Sequence, residues 1–254
     1  MKLLKKALDI SMKKTLVFPH EIYMVLLYST ISIFTTILFW SFLFSNISAM
    51  GYQQEFIYLM SMVGLFSDGI GEFFFGLRNL EYLIQKGELD QYLVRPQHPI
   101  YLLLLENIPM ISILEKLALS ILGILLIYVK YNLVCSFSNM IIALIFLICG
   151  VVYYQAVFAM ISFLALWTEN ISSLRNLIFQ VGNSKQYPIS IFPEIIRAIM
   201  TYVIPVGLIA YYPTILLLGK EQTIPPIYFL LPVVLFAANG CYKKGIKRYT
   251  SNGG

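Results

Sequence analysis

Charge is scarce in this sequence. Only 12% of the 254 residues are Asp, Glu, Lys or Arg, against roughly 25% in an ordinary soluble domain. The shortage excludes a disordered chain and a conventional soluble enzyme. Cysteine is also rare. Cys135, Cys149 and Cys241 are far apart and make no CxxC or Cys/His spacing. Neither a metal site nor a disulfide framework is expected from them, and they read as small apolar fillers. The two histidines, His20 and His98, border apolar runs and do not lie inside them. No GxxxxGK[ST] occurs. The nearest string, Gly219-Lys220-Glu221, lacks the glycine-rich turn that cradles phosphates. HExxH and GxSxG are missing too, and no nucleophile and base face each other within an apolar run. The chain is not expected to be an enzyme.

Apolar residues are abundant: 59% of the chain is hydrophobic, and the mean hydropathy is +0.77. This composition belongs to an integral membrane protein. A crossing helix needs roughly 20 apolar residues, and six runs approach that length. They are Ile22 to Phe44, Phe56 to Leu77, a run within Ile108 to Val129, Met140 to Leu166, Ile195 to Leu218 and the short Ile227 to Tyr242. The fold class is therefore all-α, a polytopic membrane protein with six transmembrane helices in one domain spanning residues 1–254.

The net charge of +5 matters less than its distribution. Lys and Arg in the successive segments outside the runs number five, zero, three, one, three, one and four. Lys185 is counted in the fifth of these segments, together with Arg175 and Arg197. The alternation puts both termini in the cytoplasm, because basic residues accumulate on the inner side. The cations mark membrane orientation, and no nucleic-acid partner is expected. Trp40 and Trp167 fall where interfacial belts are expected. The first run is longer than the 7–15 apolar residues of a signal peptide, so an uncleaved span is expected. Ahead of it, Leu4, Leu8, Met12 and Leu16 recur every four positions among lysines. Residues 1–20 thus read as an amphipathic helix on the inner leaflet. The alternative is a frayed basic tail.

The segment between the second and third runs, residues 78–99, has its own pattern. Leu80, Leu83 and Ile84 continue the preceding helical face. Gly87 can stop that helix in a left-handed conformation. Leu89, Tyr92 and Leu93 then form a short apolar face, with Glu88, Asp90 and Gln91 turned away. Arg95-Pro96 ends it, since proline restricts the residue before it. Such a knob could lie in the groove of a soluble partner, with Leu89, Tyr92 and Leu93 filling it and Glu88, Asp90 and Arg95 at its rim. It could equally be an interfacial helix touching only lipid.

The run from Gly87 to Pro96 resembles the signature of a bacterial permease family. So do Tyr187-Pro188-Ile189-Ser190-Ile191-Phe192-Pro193, Tyr202-Val203-Ile204-Pro205-Val206 and Ala210-Tyr211-Tyr212-Pro213, with Ala165-Leu166-Trp167-Thr168-Glu169 before them. The family is the six-helix membrane subunit of ATP-binding cassette exporters of the ABC type-2 class. The resemblance implies a permease without its own ATPase. Two copies of a separate nucleotide-binding subunit would carry ATP and Mg, and a second permease copy or a paralogue would complete the dimer. It also implies that Gly87, Glu88, Leu89, Asp90, Tyr92, Leu93, Arg95 and Pro96 form the ATPase-coupling loop, with residues 1–20 as a connecting helix beside it. Implied as well are the bacterial plasma membrane and export of an antibiotic, peptide or lipid-like compound. A self-sufficient channel-like or receptor-like membrane protein is the alternative.

Four charged residues interrupt the runs. Asp68 and Glu72 are four apart, so they share a helix face, and Glu115 and Lys116 sit at a depth like that of Glu72. A charge near mid-bilayer costs about 2.5–3.5 kcal/mol on insertion scales, so these groups should face protein or a wet cavity. Three readings stay open: a polar translocation surface, ion pairs between helices with Lys116 compensating the carboxylates, or a span that simply extends into the cytoplasm. Ser67 and Gly71 leave room for a close neighbour. In the fifth run, Pro205 should kink the helix, and Tyr211-Tyr212-Pro213 should break it near the outer surface. The remainder is then a re-entrant turn, which the resemblance identifies with an outer gate.

Overall fold

The computed structural model describes residues 8, 11–13, 19–46, 52–168, 170–220 and 225–250. All regular structure among them is helical. The first span is α1, Pro19–Asn46. Proline in its first turn gives up an N–H that would have no partner there. Almost the whole of α1 is exposed, as expected where lipid replaces water, but Ser29, Ile33, Thr36, Trp40 and Leu43 form a line of lower exposure along it. Trp40 is only 5% exposed, and its ring packs on Phe44 and Tyr187. It therefore belongs to the core and not to an interfacial belt. Its position in the run was readable; the neighbour that covers it was not.

The second span continues much further than its apolar run. It comprises α2, Gln54–Gly71, a 3-10 stretch at Glu72–Asn79 and α3, Leu80–Gln85, in all a 32-residue membrane-span candidate. At ~1.5 Å per residue or more it exceeds a ~30 Å hydrocarbon core, so its last turns project beyond the membrane. The short α4, Asp90–Leu93, and α5, Pro99–Glu106, follow. The third span is α6, Met110–Lys130, which packs along α2 more extensively than any other pair. The fourth is α7, Phe137–Phe163, extended by α8, Ala165–Thr168. Ser136 caps α7 by accepting the Asn139 N–H at 3.2 Å, which satisfies one of the free donors of its first turn.

Beyond α7 the expected order of segments changes. Helix α9, Ser172–Asn183, begins beside the end of the second span and runs back along it, so that Lys185 meets Asp68. Asp68 is about 21 Å along the helix from Gln54 at ~1.5 Å per residue. Lys185 thus lies beside the interior of the second span. Helix α10, Glu194–Ala198, continues as a π-helical turn to Val203. Ile204, ahead of Pro205, leaves the helical region with φ -117 and ψ 89, in keeping with the bias of a residue before proline away from helix, and the chain bends by 71°. Helix α11 then covers Tyr211–Leu217. Here the expectation for Tyr211-Tyr212-Pro213 is corrected: the three residues open a helix and do not break one. Pro213 sits in the first turn, where its missing N–H costs no bond. The sixth apolar run forms the last span candidate, Pro226–Ile246, a 3-10 turn leading into α12, Leu231–Ile246.

Two apolar clusters divide the bundle. One joins Phe56, Met60, Val63, Leu147, Val151 and Tyr211. The other joins Leu80, Leu83, Ile84, Leu89, Tyr92, Phe163 and Tyr242 at the end that carries the 78–99 segment.

Candidate functional site

The 78–99 segment is built as a stopped helix with a knob. Gly87 has φ +69, a conformation in which a Cβ would be strained. Its N–H donates to Ile84 O at 3.1 Å, and the Glu88 N–H donates to Leu83 O at 2.8 Å. These two bonds form a Schellman cap, which occupies carbonyls that the helix leaves open.

The apolar face of the knob does not point outward. Leu89 is buried and Tyr92 is 7% exposed; both pack on Leu80, Leu83, Leu102 and Leu103 of the same chain, with Leu93 against them. The expectation that these three side chains fill a partner's groove is thereby corrected. Two apolar faces of one chain close on each other at no cost in association entropy, so they meet first. Arg95 pairs with Glu106 and lies 5.3 Å from the Tyr92 ring. Burial, and after it the Glu106 carboxylate, pushes the Tyr92 phenol above its ordinary pKa. The outward surface consists of Tyr82, Lys86, Glu88, Gln91, Val94, Arg95 and Pro96, while Asp90 is half-buried. Tyr82 and Val94 were not singled out in the sequence, because periodicity identifies an apolar face and not what covers it.

The intramembrane charges fall into separate pairs. Glu72 Oε1 meets Lys116 Nζ at 2.5 Å, and its Oε2 is 3.7 Å from Arg78. Asp68 Oδ1 meets Lys185 Nζ at 2.7 Å. Although Asp68 and Glu72 lie on one helix, they serve different neighbours, and Lys116 compensates only Glu72. Glu115 is 6% exposed, and neither of its carboxylate oxygens has a hydrogen-bond partner among the described residues. A further group, unnoticed in the sequence, involves Glu81. Its Oε1 accepts the Ile171 N–H at 2.9 Å, and its Oε2 is 2.9 Å from Arg175 Nη1.

Asp68 and Lys185 border a cleft of about 40 Å³, with Ser67, Arg78, Tyr154 and Gln155 among its lining. That space is enough for a few waters and too small for a drug-sized compound. Gln155 Nε2 donates to Gly71 O at 3.3 Å, and Tyr154 Oη donates to Ile178 O at 3.0 Å. A Cβ at Gly182 would stand 2.1 Å from Tyr154 Oη, so only glycine lets α9 approach α7 so closely. At the other end of the bundle, the Tyr211 ring packs edge-on to Phe56 at 5.7 Å, and Tyr128 Oη donates to Leu217 O at 2.8 Å. Burial, and after it a hydrogen bond with Tyr211, pushes the Tyr52 phenol up.

A sequence profile described as ABC-2 family transporter protein matches residues 30–253. The chain belongs to the ABC-2 transporter family. No curated relative matches it.

An ABC-2 membrane protein is a transporter subunit and not itself an enzyme, and the helices described above make this one multi-pass. The residues of the 78–99 loop and the ion pairs within the spans occupy two separate places. The loop lies in the cluster with Phe163 and Tyr242, and Asp68 with Lys185 lies beyond it along the second span. Tyr211 and Tyr212 form a third group, with Tyr211 packed on Phe56 and Tyr212 edge-on to Tyr211; Pro205 and Pro213 flank them in the chain. Most of the amphipathic segment 1–20 lies outside the described residues. Of those described, Leu8 packs on Leu105, Ile108 and Ile113, and Ser11 Oγ donates to Ile108 O at 2.5 Å. At these two positions the segment touches protein next to α5.

Proposed function

We propose that this ABC-2 chain is the permease of an ATP-driven exporter and is powered by a separate nucleotide-binding subunit. The observation that carries the reading is the Gly87-capped loop. A subunit without a phosphate-binding loop must receive work from a partner, and work passes only through a stiff contact. Here the second span leaves the membrane as helix, stops in a two-bond cap and returns through a knob anchored on its own core. Tyr82, Lys86, Glu88, Gln91, Val94 and Arg95 face outward for the partner, with Tyr82 as the aromatic anchor. Leu89, Asp90, Tyr92, Leu93 and Pro96 hold the knob's shape. ATP and Mg belong to the partner dimer, and a second permease copy or paralogue completes the assembly in the bacterial plasma membrane.

Both termini lie in the cytoplasm in this reading. The crossing between the fourth and sixth spans is carried by α9 and the residues up to Ile191, and the bent pair around Pro205 re-enters from the outer side as a gate. The inner excess of Lys and Arg survives this revision, because only Lys185 and Arg197 leave the cytoplasmic count. The cargo is an amphipathic or hydrophobic compound of antibiotic, peptide or lipid-like type. Residues 1–20 act as the connecting helix. Co-purification tests the reading: the permease should retain a P-loop subunit in roughly equal amount, and Tyr82→Ala should release it. Purified chain that conducts or transports in vesicles without any ATPase would favour a self-sufficient channel.

A further inference from the structure

We infer that Glu81 and Arg175 are positioning residues that yoke α9 to the second span, and that Asp68 with Lys185 is the releasable end of this yoke. Movement of the coupling loop then reaches the intramembrane cleft through α9. The inference rests on the proposed function in taking the loop as the place where an ATPase acts.

The two attachments of α9 are unequal. At its start, the buried Glu81 carboxylate takes the Ile171 N–H at 2.9 Å and stands 2.9 Å from Arg175, while Arg175 also donates to Arg78 O at 3.3 Å. A carboxylate at a helix N-terminus is further stabilised by the helix dipole. Taking the partner from a buried charge is strongly destabilising, so this end holds. Glu81 lies within the last turns before the Gly87 cap, so it travels with the loop.

At the other end a single pair closes the cleft. The Lys185 side chain is 12% exposed, and that of Asp68 is 43% exposed. A carboxylate so open to the cleft can exchange its ammonium partner for water. Between the two ends α9 is continuous helix held against α7 at Gly182. Of the two charged attachments, the pair open to the cleft parts more readily than the buried one, and it is carried by the turn Ser184–Gln186 beyond the packed helix. Parting Asp68 from Lys185 enlarges a space that now admits only a few waters.

Thiol labelling of a Ser67→Cys reporter tests this, with Cys135, Cys149 and Cys241 replaced by serine. Ser67 lines the cleft and is buried. For the permease alone, Asp68→Asn with Lys185→Met leaves no unpaired charge and should speed labelling by about fivefold or more, the equivalent of about 1 kcal/mol. An unchanged rate overturns the latch. In the complex, ATP should speed labelling in the parent chain. Glu81→Gln keeps an acceptor for the Ile171 N–H but loses the ion pair; the ATPase should still bind and hydrolyse ATP while the ATP-driven rise disappears. Persistence of that rise overturns the yoke. Failure of the parent chain to bind any ATPase counts against the proposed function, and the labelling of the permease alone still decides the latch.

Discussion

Glu72 and Lys116 meet at 2.5 Å between the second and third spans, and each side chain is largely withdrawn from solvent. Asp68, one turn away, takes no part in this pair and reaches Lys185 across the cleft. Asp68 and Glu72 are therefore each compensated by a cation from a different segment packed on the second span. Removing one partner of a buried pair typically costs ~3–5 kcal/mol. Lys116→Leu should lower thermal stability in detergent on that scale. Glu72→Gln in the same chain should restore much of the loss, and Asp68→Asn should not. Rescue by Asp68→Asn would show that the pairing is wrong.

Glu115 presents the opposite case. Its buried carboxylate finds no hydrogen-bond partner among the described residues, and an unsatisfied buried polar group costs about 1–3 kcal/mol. Glu115→Leu should raise the thermal midpoint, whereas Glu115→Gln should change it little. A large loss of stability with leucine would mean that the carboxylate serves a group seated there in the membrane.

The loop separates two kinds of residue. Tyr92 is packed inside the chain, so Tyr92→Ala should cost ~3–5 kcal/mol of the permease's own stability, as truncation of a core aromatic does. Tyr82→Ala should leave stability within ~0.5 kcal/mol, as an exposed substitution does, and act on partner binding. Gly87→Val must adopt φ near +69, which β-branched residues resist, and should loosen the knob with little effect on membrane insertion. Thermal scans beside pull-downs distinguish the three; equal melting behaviour of Tyr92→Ala and the parent would contradict the burial.

Topology is open to cysteine mapping with an impermeant thiol reagent. Cysteines at Gln53, Tyr131 and Lys220 should label from outside, and those at Gln85 and Lys247 only after permeabilisation. Lys185→Cys should be slow from either side, since the position is withdrawn into the bundle. Rapid labelling there from the cytoplasm would return it to an inner loop.

Sequence pattern alone gave the membrane class, the approximate positions of five spans, the Gly87 stop and the bend at Pro205. All of these depend on local physics: the length of an apolar run, the φ that glycine tolerates, the bond that proline removes. It also marked Asp68, Glu72, Glu115 and Lys116 as costly, because a charge within an apolar run is costly wherever its partner lies. The partners themselves came only from tertiary structure. Nothing near Asp68 in the chain points to Lys185, and a lysine beyond the fourth run looks cytoplasmic until α9 is seen to fold back along the second span. The same holds for Leu89, Tyr92 and Trp40. Periodicity shows that a face must be covered, and burial is non-directional, so whether lipid, a partner or the chain itself covers that face is decided only when the helices pack.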